Sequence, residues 1–387
     1  MNRNNCHVFL GIYQYNFSES GDSMKRSFIS FLCFILTFIL ISAAAVPASL
    51  SENVYTKFTR RAMGVFDTFI TLIGYTRTQE EFDRVCDDTM ALLERFDRVF
   101  DAYHSYEGLN NLYYVNRHAA EDPVEIPEEL FDLISWCKGQ WDEGLRSTNI
   151  AMGSVLSIWH EYREAGMADP AAAQLPSMEA LQAASEHVDF DQVILDAEKR
   201  TVFFADPEIT LDIGAVAKGW AADAVLPYLK EHMPSFLISL GGNVYAGEAP
   251  LDGRANWAIG VEEPRPDENG SGMSYRDIVD VHDLTVVTSG DYERYYMVDG
   301  QRYHHIIDPV TLFPSTRMIS VTIICESSTL ADFLSTALFV LSLEDGLNMI
   351  ESMEGVEALW MLPDGTEQAS SGMGQYLRSL KNAGGAV

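Results

Sequence analysis

The run Val286 to Pro314, VVTSGDYERYYMVDGQRYHHIIDPVTLFP, constrains the fold of this chain more than any other stretch. β-Branched and aromatic residues alternate there with glycine-bearing turns, a pattern that suits strands and interrupts helices. Leu284 to Thr288 reads as a short strand, Ser289-Gly290-Asp291 as a turn, and Tyr292 to Val298 as a second strand. Asp299-Gly300 then makes a hairpin turn, and Gln301 to Ile307 returns. Side chains alternate along a strand, so His304 and His305 point to opposite faces, one toward a site and one toward water. A histidine titrates near neutrality and can take a hydroxyl proton.

Three other segments carry chemistry by pattern. In LDIGAVAKGWAAD (Leu211 to Asp223) a short strand, Thr210 to Ile213, meets Gly214 and a helix from Ala217 onward. A glycine turn feeding a helix N-terminus offers amides to an anion, and Lys218 is a lone cation in an acidic stretch. In SLGGNVYAGE the strand Phe236 to Leu240 runs into Gly241-Gly242-Asn243, and Val244 to Ala246 continues extended. Paired glycines let backbone N–H groups approach a pyrophosphate, although a hairpin accounts for them equally well. Leu330 to Leu343 reads as a helix with Ser328 or Thr329 as N-cap and Asp332 in its first turn. Asp332 and Thr336 are four apart, so both oxygens share one face and suit a hard cation such as Mg²⁺. An Asp favoured by its own helix dipole is the plainer alternative.

Acidic residues outnumber basic ones 57 to 26, for a formal net charge of -31, which argues against nucleic acid or an anionic membrane face as partner. Lys25-Arg26, the apolar run from Phe28 and the small-residue end Ser42 to Ala48 have the layout of a secretory signal. Residues 1–48 are therefore set apart as an extension plus signal peptide or anchor (hydrophobic run 28–46), and 49–387 as one domain. Met24 is a natural start for the signal, and no cysteine follows it in lipobox position. The protein is expected outside the cytoplasm, secreted or N-terminally anchored. Glu262 to Ser274 reads as a surface loop. Cys86, Cys137 and Cys325 are widely spaced and resemble no zinc site, so they read as buried apolar side chains.

These segments, in this order, resemble the ApbE family of FAD:protein FMN transferases, as does the weaker match AMGVFDTF (Ala62 to Phe69). The resemblance implies a single large α+β domain, related to the T-fold, with mixed or antiparallel sheets flanked by helices. It implies Mg²⁺-dependent transfer of FMN from FAD to a Ser or Thr hydroxyl of an acceptor protein, with AMP released. Hydrolysis of FAD to FMN and AMP, or FAD binding without turnover, are the alternatives. By position it gives catalytic roles to His305 and Asp308, and metal roles to the Ala215 carbonyl, Asp332 and Thr336. Flavin or dinucleotide contacts fall on Met63, Tyr103, Ser147, Thr148, Asn149, Asp212, Lys218, Gly241, Gly242, Ser289, Gly290 and Ile307. Expected acceptors are Rnf-type or sodium-pumping quinone reductase subunits, or other FMN-binding domains. Six positions in four places depart from the family pattern: Val65 for Thr, Ser147-Thr148-Asn149 for Ala-Phe-Asp, Ser335 for a second Asp, and Leu312 for Gly after Asp308-Pro309.

Overall fold

The computed structural model describes residues 54–265 and 275–379, and the chain from Tyr55 onward forms one compact unit. The first strands are β1 (Thr56–Val65), β2 (Thr68–Thr76), β3 (Val124–Glu125), β4 (Val193–Asp196) and β5 (Thr201–Phe204). There follow β6 (Phe236–Leu240), β7 (Asn243–Ala246), β8 (Trp257–Glu262), β9 (Tyr275–Val281) and β10 (Leu284–Gly290). The last are β11 (Tyr295–Val298), β12 (Gln301–His304), β13 (Ser320–Cys325), β14 (Glu357–Met361) and β15 (Glu367–Ala369). The early helices are α1 (Gln79–Phe100), α2 (Leu112–His118), α3 (Glu128–Asp142), α4 (Gly153–Ala168) and α5 (Met178–Ser185). The later ones are α6 (Ala217–His232), α7 (Ser328–Val340) and α8 (Leu343–Glu351).

An eight-stranded antiparallel sheet in the order β1-β2-β6-β7-β10-β13-β14-β15 forms the centre. Helices cover one face. In α1, Thr78 caps the start by accepting the Glu81 N–H, and Phe82, Val85, Cys86, Leu93, Phe96 and Phe100 are buried on one stripe. Each large apolar side chain buried in this way stabilises the fold by ~1.5–3 kcal/mol. The opposite face is covered by the β8–β9 hairpin, whose Trp257, Ile259, Val279 and Val281 pack with Tyr75, Leu237, Val286 and Ile324. A third, smaller core joins α4, α5 and the β11–β12 hairpin through Val155, Trp159, Leu181, Tyr296, Ile307 and Leu312. The expected α+β class, with antiparallel sheets flanked by helices, holds.

Several boundaries differ from the sequence expectation. Gly290 is not part of a turn but ends β10, because β13 supplies a pairing partner in Ser320. The next strand starts at Tyr295 rather than Tyr292, and its return ends at His304, since only Tyr295↔His304 through Val298↔Gln301 pair. The Asp299-Gly300 turn is as expected, with φ of 51° and 79°. Thr210 to Ile213 forms no strand: Thr210 makes one bridge to Met152, and the Asp212 N–H goes to the Ile150 carbonyl. Helix α7 is capped by Ser327, whose hydroxyl accepts the Leu330 N–H, so Asp332 lies beyond the first turn. Glu262 closes β8, while residues 266–274 of the expected loop, like the leader, lie outside the described residues. The three cysteines are free and buried. Among the described residues no helix is long and apolar enough to cross a membrane.

Candidate active site

The two N-terminal halves of α6 and α7 bring the charged pair together. Asp332 is 3% exposed; its Oδ2 accepts the Gly219 N–H at 2.9 Å and its Oδ1 lies 3.4 Å from Lys218 Nζ. The helix-dipole alternative is not met by its own helix, because this carboxylate meets the N-terminus of α6 instead. The long Lys218 contact leaves Oδ1 able to take a stronger partner. Thr336 is half-buried one turn further on, and Ala215 is half-buried in the turn before α6. By type, one carboxylate, one hydroxyl and one carbonyl would offer hard oxygen donors with a single negative charge. That suits a cation which completes its shell with water and phosphate oxygens, not a closed protein cage. Among the described residues there is no cluster of three or more His, Cys, Asp or Glu able to hold a metal.

The histidines separate cleanly. His304 is buried: one ring nitrogen donates to the Ser315 carbonyl at 2.7 Å, and the other accepts the Ile306 N–H at 3.1 Å. Both nitrogens are occupied, so this ring is structural. His305 is partly exposed, and its Nδ1 faces the Arg294 carbonyl at 3.3 Å, which fixes the N–H there and leaves Nε2 as a lone-pair acceptor. Desolvation first, then the cations Arg294, Arg163 and Lys218, hold its pKa below the ordinary value, so it is neutral at pH 7.

Other expected site residues divide between surface and scaffold. Met63 (71% exposed) pairs across the β1–β2 ladder with Phe69 (68% exposed). Tyr103 is exposed and stacks on His160 at 4.6 Å, and His160 in turn accepts from Arg163 at 2.9 Å. Asp212, half-buried, accepts the Gly214 N–H at 2.8 Å and, after desolvation, is the main group raising the Tyr103 hydroxyl pKa. Ser147 is half-buried, but Thr148 donates to the Phe333 carbonyl of α7, and Asn149 ties the Val188 carbonyl to the Ala151 N–H. These two latch the loop before α4 rather than stand free for a ligand.

Gly241 and Gly242 form the two-residue turn of the β6–β7 hairpin, with φ of 53° and 97°. A Cβ on Gly241 would stand 1.7 Å from Thr68 Oγ1, and its N–H is already given to the Phe69 carbonyl. The hairpin reading is therefore correct, and the Gly241 amide is not available to a phosphate. The Ser289 and Ser335 hydroxyls bond to each other at 2.7 Å, where the family pattern has a second Asp at 335. Gly290 packs under the Tyr292 ring, and Ile307 pairs with Pro314 inside the small core, so both are scaffold. Asp308 is buried and accepts the Val310 and Thr311 N–H groups, with Arg317 at 3.7 Å. It shapes the turn that follows His305 and makes no bond to the imidazole, so any support it gives the site runs through that turn.

Sequence pattern did not single out Arg163, Arg294 or His160. A cation in so acidic a chain needs explaining, which is the ground on which Lys218 stands out, and both arginines meet it equally.

The described chain is an antiparallel sheet backed by helices, two of which present the Lys218–Asp332 pair, with a neutral histidine, His305, just after the β11–β12 hairpin. The chain belongs to the ApbE family, whose model matches residues 66–360. It is 32% identical over 373 residues to a FAD:protein FMN transferase of Treponema pallidum (strain Nichols), covering 92% of this chain and 98% of that one. A FAD:protein FMN transferase of Klebsiella pneumoniae (strain 342) is 33% identical over 274 residues, covering 68% and 81%. Among solved structures, the ApbE protein of Thermotoga maritima superposes with a TM-score of 0.72 at 26% identity, covering 84% of this chain and 100% of that one. The flavin transferase ApbE of Vibrio cholerae shares the fold, with a TM-score of 0.68 at 23% identity, covering 83% and 100%.

Proposed function

We propose that this protein transfers FMN from FAD to a Ser or Thr hydroxyl of an acceptor protein. The observation that carries the reading is the neutral His305 with a free Nε2, set among Arg163, Arg294 and Lys218 in a chain of net charge -31. Similarity to curated FMN transferases over nearly the whole chain supports it.

In this reading the hydroxyl oxygen of the acceptor attacks the FMN-side phosphorus. The phosphoanhydride bond breaks, AMP leaves with its bridging oxygen, and the hydroxyl proton passes to His305 Nε2. Lys218, Arg163 and Arg294 hold the diphosphate charge, and Tyr103 and Met63 offer exposed apolar surface to the ring system. Asp332, Thr336 and the Ala215 carbonyl would hold Mg²⁺, which supplies charge neutralisation on the phosphate oxygens. The leader layout in residues 28–46 supports a reaction outside the cytoplasm, where the acceptor is a flavin-carrying domain of an electron-transfer complex. The test is intact mass spectrometry of such a domain after incubation with the protein, FAD and Mg²⁺. Gain of one FMN mass supports the reading. Unchanged acceptor mass with AMP accumulating identifies a hydrolase, and neither product identifies a binder.

A further inference from the structure

We infer that Asn243 is a further ligand-binding residue, whose side-chain amide donates to a phosphate oxygen of the dinucleotide received at Lys218 and Asp332. The inference rests on the proposed function. Asn243 is 2% exposed, and its buried Nδ2 has no hydrogen-bond partner among the described residues. Buried amide donors without an acceptor are rare in native proteins because the lost solvation is not recovered.

Packing does not explain the amide. Asn243 opens β7 and pairs with Leu240 of β6 on one side and Val287 of β10 on the other. Paired residues present side chains to one face, here the helix-covered face, since Leu240 and Val287 both belong to that core. Between two such neighbours a leucine or valine would be buried without penalty.

The position of Asn243 supplies the reason for it. On β10, the same-face neighbours of Val287 anchor α7: Thr285 Oγ1 meets Ser328 Oγ at 2.8 Å, and Ser289 Oγ meets Ser335 Oγ at 2.7 Å. The stretch of α7 between these anchors carries Asp332, and Asn243 lies one strand over, opposite Val287, on β7, against which both α6 and α7 pack. A phosphate oxygen, charged and acceptor-only, is the partner a lone buried donor lacks.

The test compares FAD affinity, read by flavin fluorescence, and melting temperature for Asn243→Ser, Asn243→Leu and Asn243→Asp. Serine keeps a donor, leucine removes it, and aspartate replaces it with a charge that repels phosphate. FAD affinity is expected to fall in that order, by about tenfold or more for leucine, the loss typical of a hydrogen bond to a charged acceptor. The melting temperature of the leucine variant is expected at or above wild type, because an orphan donor has been removed. Affinities within twofold of wild type in all three variants, or affinities that follow melting temperature, would overturn the assignment and make Asn243 structural. Failure of the wild-type protein to bind FAD would instead overturn the proposed function, and this assignment with it.

Discussion

Asp223 and Asp332 each cap the other's helix. Asp223, on α6, accepts the Ser328 N–H at 2.8 Å and the Thr329 N–H at 2.9 Å, and also takes the hydroxyls of Ser327 and Thr329. Asp332, on α7, accepts the Gly219 N–H at 2.9 Å. Each carboxylate thus satisfies amides that a helix N-terminus leaves open, at the positive end of its dipole. Gly219 permits the approach, since a Cβ there would lie 2.2 Å from the Ser328 carbonyl oxygen. The reciprocal caps fix the register of the two helices and turn Asp332 Oδ1 toward Lys218.

Because the two carboxylates have different second duties, substitution should separate them. Asp223→Ala leaves two amides and two hydroxyls without an acceptor and should destabilise the fold by about 2–4 kcal/mol. Asp332→Asn keeps an oxygen for Gly219 and should cost within about 1 kcal/mol, yet lose the charge proposed to hold the cation and lower FMN transfer by about 100-fold or more. Urea unfolding and transfer rates measured side by side decide it. Equal stability losses in the two variants would reject the division of labour.

His304 and His305 should separate in the opposite sense from their sequence equivalence. His304→Ala strands the Ser315 carbonyl and the Ile306 N–H and removes an edge contact to Phe339, so a loss of about 2–4 kcal/mol is expected. His305→Ala removes a ring bonded only to the Arg294 backbone, so stability should change by less than about 1 kcal/mol while turnover collapses. A His305→Ala enzyme with wild-type turnover would remove the proton acceptor from the mechanism.

Local pattern made the hairpin at Asp299-Gly300, the strand at Phe236–Leu240 and the helix starting at Ala217 legible, because each is set by residues within a few positions. Boundaries that depend on a distant partner were not: Gly290 is strand only because Ser320 lies opposite, and the cap of α7 is shared between Ser327 and a carboxylate about a hundred positions away. The same dependence on distant partners hid part of the site. Asp308 and Ile307 stand beside a histidine in sequence, but the chain turns so that one holds loop amides and the other enters a core. Arg294 lies across the β11–β12 hairpin from His305, and pattern did not single out its cation although the hairpin itself was legible; Arg163 comes from α4, a separate element.

Leu312 occupies the position where the family pattern has glycine, and it keeps the left-handed backbone, with φ of 61°. The strain, ~1–2 kcal/mol for a residue with a Cβ, is offset by burial of the side chain in the small core and by the Trp159 indole bond to its carbonyl at 2.9 Å. Leu312→Gly should therefore destabilise by about 1–3 kcal/mol, strain relief offsetting part of the lost packing. Leu312→Ala keeps the strain and loses the packing, so it should be the less stable of the two, reversing the usual order. Denaturant midpoints that rank alanine above glycine would show that the backbone there is not left-handed in solution.

A pH dependence should arise from His187 and Asp206, 2.9 Å apart at the closer oxygen, which join the end of α5 to the loop before Thr210. The hydrogen bond to Asp206 raises the imidazole above its ordinary 6.5, while the Glu208 N–H first, and His187 after it, hold the carboxyl below its ordinary 3.8. A raised imidazole stabilises the fold while it is protonated, so that contribution is complete below pH 6.5 and fades as pH rises through the folded value. A lowered carboxyl contributes above pH 3.8 and fades as pH falls through its folded value. The advantage of wild type over His187→Ala should thus be greatest between those two values and decline through neutrality, more weakly in high salt because the pair faces solvent. The His187 ring resonances report it directly: titration above 6.5 in wild type, falling back toward that value in Asp206→Asn, is expected. The same midpoint in both proteins would mean that the pair does not form in solution.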